Sequence, residues 1–230
     1  MGLKASWRKL GSSARPLAGI LAFLVPCGFG VMLALAAPDF DKIERLALQR
    51  YGPTGAESIS AWRRMMEDAR NLPDTEKAQR VNLFFNRRIL FASDMEVWHQ
   101  EDYWATPLEF MGRGAGDCED FSIAKYTTLK MLGISDVHLH LIYVRLQQGS
   151  LPPAAHMVLG YYPDPVGEPL ILDNMISSVR PASMRSDLSP VFSFNSAGLW
   201  AGGSTASLAD PTARLSRWRD VLERMRLDGF

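Results

Sequence analysis

Two cysteines occur in the chain, and one of them, Cys118, sits where chemistry is possible. Its setting is Gly116-Asp117-Cys118-Glu119-Asp120, a thiol among three carboxylates. Gly116 or Asp117 is a natural helix cap, which places Cys118 in the first turn of a helix. The free backbone N–H groups and the dipole there favour a thiolate. The same N–H groups suit a developing oxyanion. The neighbouring negative charge works the other way and favours the neutral thiol.

A thiol nucleophile also needs a proton partner. Three histidines follow it: His138, His140 and His156. His138 and His140 alternate along one strand face, expected to meet solvent. His156 opens an apolar run, His156-Met157-Val158-Leu159-Gly160, and a ring buried there requires a hydrogen-bond partner. Asp173 closes the next apolar run, Leu170-Ile171-Leu172. Two neighbouring antiparallel strands would set His156 beside Asp173. Cys118, His156 and Asp173 then fall in the order nucleophile, base, orienter. A buried cysteine, a core histidine and a turn aspartate account for the same three residues, and spacing alone does not choose. Zinc held by Cys118 and His156 lacks the closely paired ligands usual for that metal.

The elements around these residues follow from periodicity. Helices are expected from Asp39 to Tyr51, ended by Gly52-Pro53, from Ser58 to Arg70, and from Asp74 to about Phe91. Their aromatic and methionine stripes read as core. Residues 92–116 read as an acidic, aromatic loop. A helix runs from Cys118 to a stop at Gly133. Strands are expected at Val137–Leu146, Ala155–Tyr162 and Pro169–Asn174, antiparallel because their connections are short. Residues 177–207 show less regularity. Asp210 and Pro211 open a closing helix with Leu215, Trp218, Val221, Leu222 and Met225 on one stripe. The fold class is α+β, one domain over residues 38–230, helices first and sheet later.

The first 37 residues differ in kind. Lys4, Arg8, Lys9 and Arg15 precede a nearly unbroken apolar stretch from Leu17 to Ala37, which ends in a small-residue pattern. This is the layout of a secretory signal peptide cleaved near Ala36 or Ala37. An N-terminal membrane anchor is the alternative, since the stretch is long enough to span a bilayer. Leu24-Val25-Pro26-Cys27 matches a lipoprotein signal poorly, and Met1-Gly2 with Ser6 fits a myristoylation pattern that the export signal explains better. Cleavage leaves 21 basic against 25 acidic residues. It also removes Cys27, so Cys118 becomes a lone thiol in an oxidising compartment, either buried and inert or kept for its chemistry. A formal net charge of zero on 230 residues carries no basic footprint for nucleic acid.

Three segments, DYWATPLEFMGRGAGDCEDFSIAKYTTLKMLGI, AAHMVLGYY and LILDNM, resemble the bacterial transglutaminase-like cysteine proteinases, specifically the LapG family of periplasmic proteases. SPVFSFNSAGLW agrees more weakly. The resemblance implies a papain/transglutaminase-like core, with a nucleophile helix packed on an antiparallel sheet. It places the nucleophile at Cys118, the base at His156 and the orienting carboxylate at Asp173. It implies Ca²⁺ as cofactor, with Asp117 and Glu119 among the ligands and Asp94, Glu96 or Asp102 as further oxygen donors. Asp120 is left as a helix N-terminal charge, and Trp104 as a cleft or packing residue. The implied activity is periplasmic cleavage of a large repeat-rich surface adhesin at a di-alanine site near its N-terminus, releasing biofilm. The implied inhibitory partner is the periplasmic domain of a LapD-type inner-membrane receptor for cyclic-di-GMP. A transglutaminase or amidase using the same triad, and a non-catalytic periplasmic binding protein, are the alternatives.

Overall fold

The computed structural model describes residues 38–201 and 207–230; the proposed leader, with Cys27, lies outside the described residues. Helix α1 (Phe40–Ala69) opens on Asp39, whose carboxylate accepts from the Lys42 N–H. Gly52 interrupts it with φ 72 and ψ −166. The expected break is therefore real, but helix resumes directly at Pro53 rather than at Ser58. Proline is tolerated there because a first-turn N–H has no helical partner. Helix α2 (Asp74–Arg88) ends before Leu90–Phe91, which forms β1 and pairs in parallel with β2 (Ala115–Gly116).

The segment 92–116 is not a loop. It holds α3 (Asp94–Trp98) and α4 (Pro107–Arg113), each opened by a capping box. Ser93 pairs with Glu96, and Thr106 with Glu109 ahead of Pro107 at the first helical position. That spacing is legible in the sequence, but the helices are too short to show a period.

Helix α5 (Cys118–Met131) is the centre of the molecule, and every residue from Asp120 to Leu129 is buried. A helix covered on all sides needs neighbours on all sides. Trp62 of α1, fully buried, donates its indole N–H to Thr128 at 2.9 Å. Phe110 of α4 packs edge-on to Phe121. Burying side chains of this size contributes about 1.5–3 kcal/mol each.

The other side of α5 meets a six-stranded antiparallel sheet. Its strands are β3 (Leu139–Leu146), β4 (Ala154–Tyr161), β5 (Leu170–Leu172), β6 (Arg180–Pro181), β7 (Leu188–Phe194) and β8 (Leu199–Ala201), in the order β6-β5-β4-β3-β7-β8. The three expected strands are present, β3 and β5 shortened and β4 shifted by one residue; residues 136–138 form a 3-10 turn before β3. The irregular stretch 177–207 contains β7, which pairs along most of β3. Pro190 hides β7 in the sequence, and a register shift at Tyr143/Val144 accommodates it. The closing helix is also two: α6 (Pro211–Arg214) and α7 (Ser216–Asp228), separated by the extended Leu215. Among the described residues no helix is long and apolar enough to cross a membrane.

Candidate active site

Asp117 is the N-cap of α5 in an extended conformation, and Cys118 takes the first helical position, partly buried. One turn later Ser122 donates its hydroxyl to the Met157 carbonyl at 3.1 Å. The Met157 N–H faces the Cys118 sulfur. Strand β5 pairs only with Leu159–Tyr161, so it leaves Met157 free along that edge. Through the Ser122 bond the first turn of α5 is pinned to the residue after His156. The thiol itself donates to Glu119 Oε2 at 3.0 Å. Burial, then the charge and hydrogen bond of Glu119, then Asp117, push it far above the ordinary thiol range. In this arrangement the sulfur is neutral.

His156 and Asp173 meet just past the end of the β4–β5 ladder, whose last pair is Leu159–Leu172. The ring Nε2 lies 2.9 Å from Asp173 Oδ1, and the two residues are 5% and 2% exposed. With Nε2–H donating to the carboxylate, Nδ1 is the ring's acceptor. Asp173 Oδ1 also accepts from the Met175 N–H, and Oδ2 accepts from Arg185 Nη2 at 2.8 Å. Asn86 of α2 donates to the Asp173 carbonyl at 2.7 Å, fixing the backbone. Burial disfavours the charged carboxylate, but the His156 hydrogen bond and charge, the Met175 N–H and Arg185 outweigh it. Asp173 is held well below the usual carboxylate range.

On the other side of Cys118 lies a group of acids in which, among the described residues, only Asp102 has a basic partner, Arg217 at 2.5 Å. Oxygens of Asp94, Asp117 and Asp120 lie within 4.8 Å of one another, and so do those of Asp94, Asp102 and Glu119. Burial, reinforced by neighbouring acids, raises Asp94 to about 6 and pushes Asp117 and Asp120 upward as well. Asp94 Oδ1, Asp117 Oδ1 and Asp120 Oδ2 are buried without any hydrogen-bond partner. Their other contacts aim them: Tyr103 N–H holds Asp94, and Ala105 N–H holds Asp120 at 2.7 Å. A side chain at Gly116 would collide with the Asp120 carboxylate and the Phe110 ring. Clustered hard oxygen donors with unsatisfied lone pairs fit a calcium ion.

The structure brings Cys118 to the strand that carries His156, His156 to Asp173, and Asp94 and Asp102 to Asp117 and Glu119. Asp120 is a member of this acid cluster, fully buried, rather than a simple helix-end charge. Glu96 is not in it; its carboxylate accepts from the Ser93 N–H and hydroxyl. His140 is buried, not solvent-facing, between Tyr162 and Trp200, and burial lowers its pKa to about 4. Trp104 stacks on Phe194 and donates to Asp102. Arg185 carried no sequence signal, because its partner Asp173 is twelve residues away on another element. Lys125 is missed for a related reason: it sits among apolar residues of α5. It is 1% exposed with an unpartnered Nζ. Burial lowers its pKa to about 7 against the pull of Asp173.

A helix start presenting a cysteine to a strand-borne His–Asp pair is the arrangement of a papain- or transglutaminase-type cysteine proteinase. Comparison gives the same class: the family described as bacterial transglutaminase-like cysteine proteinase, BTLCP, matches residues 57–186. The chain belongs to this family and is a cysteine protease of the LapG type. Legionella pneumophila LapG aligns at 37% identity and a TM-score of 0.69, over 82% of this chain and 99% of its own. The calcium-bound form of that protein aligns at 37% identity with a TM-score of 0.70, over 81% and 98%. Its EGTA-treated form gives 38% identity and 0.72, over 82% and 100%. No curated protein matches the chain.

Proposed function

We propose that the chain is a periplasmic, calcium-dependent cysteine endopeptidase in which Cys118 is the nucleophile, His156 the general base and Asp173 its orienter. The observation that carries this is the His156–Asp173 hydrogen bond on the strand to which the start of α5 pins Cys118. In the reaction the Cys118 proton passes to His156 Nδ1 as the sulfur attacks the scissile carbonyl carbon. The Cys118 backbone N–H, unpaired at the helix start, and one further donor hold the oxyanion. His156 returns the proton to the departing amine, leaving a thioester. Water then attacks the thioester and gives a proton to His156, and the acid product leaves as the thiol reforms.

Asp117, Glu119, Asp94, Asp120 and Asp102 are the residues that would hold calcium. Bound there, the ion supplies positive charge against which these acids no longer oppose a thiolate, and it fixes the segment from α3 to α5. Solved structures of the Legionella protein in calcium-bound and EGTA-treated forms support the assignment.

The substrate is a large, repeat-rich surface adhesin, cut at a di-alanine site near its N-terminus, and cleavage disperses biofilm. The periplasmic domain of a LapD-type cyclic-di-GMP receptor sequesters the protease. Met1–Ala37, read as an export signal or anchor, supports the compartment. The direct test is incubation with a recombinant N-terminal adhesin fragment from the same genome. Cleavage by the wild type and none by Cys118→Ala is expected. Equal cleavage by both would overturn the assignment. Incorporation of a labelled amine into a glutamine peptide, without peptide-bond cleavage, would replace it with a transglutaminase.

A further inference from the structure

We propose that Arg185 is a positioning residue for the His156–Asp173 pair: it fixes the Asp173 carboxylate and shares its charge, so that His156 is oriented without being locked as an imidazolium. This rests on the proposed roles of His156 and Asp173 and adds a fourth member to them. Arg185 lies outside every segment that the sequence singled out. Its side chain is 4% exposed, so it is part of the interior rather than a surface cation.

The geometry is specific. One guanidinium nitrogen, Nη2, donates to both Asp173 Oδ2 at 2.8 Å and Asp187 Oδ2 at 2.7 Å. Nε donates to Asp187 Oδ1 at 2.9 Å, so Asp187 grips the guanidinium by two contacts and sets its plane. The arginine therefore arrives at Asp173 already oriented. It occupies Oδ2 and leaves Oδ1 to His156 and the Met175 N–H. The fork persists although Nη1 is buried without a partner.

A general base must be oriented by its carboxylate and still be neutral when the nucleophile's proton arrives. A lone buried aspartate would orient the ring but also hold it as the cation. An arginine on the far oxygen counters the second effect and preserves the first. The charges that face the pair come from three places. Arg185 and Asp187 lie in the segment before β7, while Lys125 on α5 brings a buried amine toward Asp173, its charge opposed by burial. Cys118 and Glu119 stand at the start of the same helix.

The experiment reads the imidazole directly and needs no substrate. The full chain, labelled with ¹⁵N-histidine, is titrated by NMR as wild type, Arg185→Gln and Arg185→Lys, with calcium present; His156→Gln assigns the signal. Arg185→Gln is expected to raise the His156 midpoint by about one pH unit, since removing a neighbouring cation favours the imidazolium. Arg185→Lys, which keeps the charge but loses the fork, is expected to stay within a few tenths of a unit above wild type. The acidic limb of kcat/KM on the adhesin fragment should move with the midpoint. A His156 midpoint that stays put or falls in folded Arg185→Gln overturns the proposal. If that variant does not fold, an Arg185→Lys midpoint below wild type does so. Because the midpoint is read without turnover, a failed proteolysis assay would leave this result distinct.

Discussion

Asp173 and Asp120 are both almost inaccessible, at 2% and 0% exposure, and they face opposite ways chemically. Asp173 has His156, Arg185 and a backbone N–H on its oxygens and is held ionised. Asp120 has the Ala105 N–H on one oxygen and no hydrogen bond on the other; burial first, then Glu119 and Asp94 nearby, push it toward its neutral form. Burial raises both, and only Asp173 has partners that outweigh it. One carboxylate is completed by the protein itself; the acid cluster calls for a cation from outside. Cys118 lies between the two, which makes its ionisation depend on how the cluster is neutralised.

The largest effect expected from this contrast is on turnover. Asp173→Asn removes charge from a completed site, and cleavage of the adhesin fragment should fall by roughly 10²–10⁴-fold at any calcium concentration. Asp120→Asn should instead raise the calcium needed for activity by about tenfold or more while leaving much of the rate at saturation. Equal losses at saturating calcium would erase the distinction.

Chelation is the next test. EGTA should abolish cleavage, and Ca²⁺ but not Mg²⁺ should restore it, because magnesium demands a tighter octahedral shell. Calcium at a hundred times its dissociation constant should stabilise the fold by about 2.7 kcal/mol, seen as a rise in Tm. Full cleavage in EGTA would remove the ion from the account.

The pH dependence separates the two regions by sign. Asp94, Asp117 and Asp120 bind protons more tightly folded than unfolded, so in EGTA stability should fall as pH rises from about 5 to 8. Calcium should flatten that slope, and its binding should release protons. Asp173 is depressed in the folded state, so its contribution is present above the unfolded value of about 3.9 and is lost only as pH falls below it. Thermal melts across this range, with and without calcium, read both trends. A Tm in EGTA that climbs from pH 5 to 8 would contradict the repulsion within the cluster.

The smallest effect concerns the support of the cluster. Glu96→Ala removes the acceptor for Ser93 at the start of α3, the helix that presents Asp94. It should cost about 0.5–1 kcal/mol of stability and weaken calcium binding only a few-fold. A loss as large as that of Asp120→Asn would make Glu96 a ligand after all.

Much of the site was visible in the residue order. The acids around Cys118, the apolar runs opened by His156 and closed by Asp173, and the helix capped by Asp117 are local patterns, set by propensity and period. The helices near both ends were equally legible: Gly52-Pro53 marked the break in the first, and Leu215 alone interrupts the closing helix without a sequence signal. The α3–α4 segment was misjudged because one- and two-turn helices show caps and no period. Strand β7 was missed because Pro190 argues against a strand until a bulge at Val191, beside it in the same strand, makes room.

What the sequence determined by itself is the nucleophile's local setting: a thiol at a helix start, crowded by acids, with a histidine and an aspartate on later strands. Those features depend on neighbours a few residues apart, where chain geometry is fixed. The tertiary structure alone decided which carboxylates are completed and which are not. Arg185 reaches Asp173 from the segment before β7, and Asp94 reaches Asp120 across α3 and α5. The charge state of a buried carboxylate is set within a few ångströms of space, and sequence distance says nothing about that space.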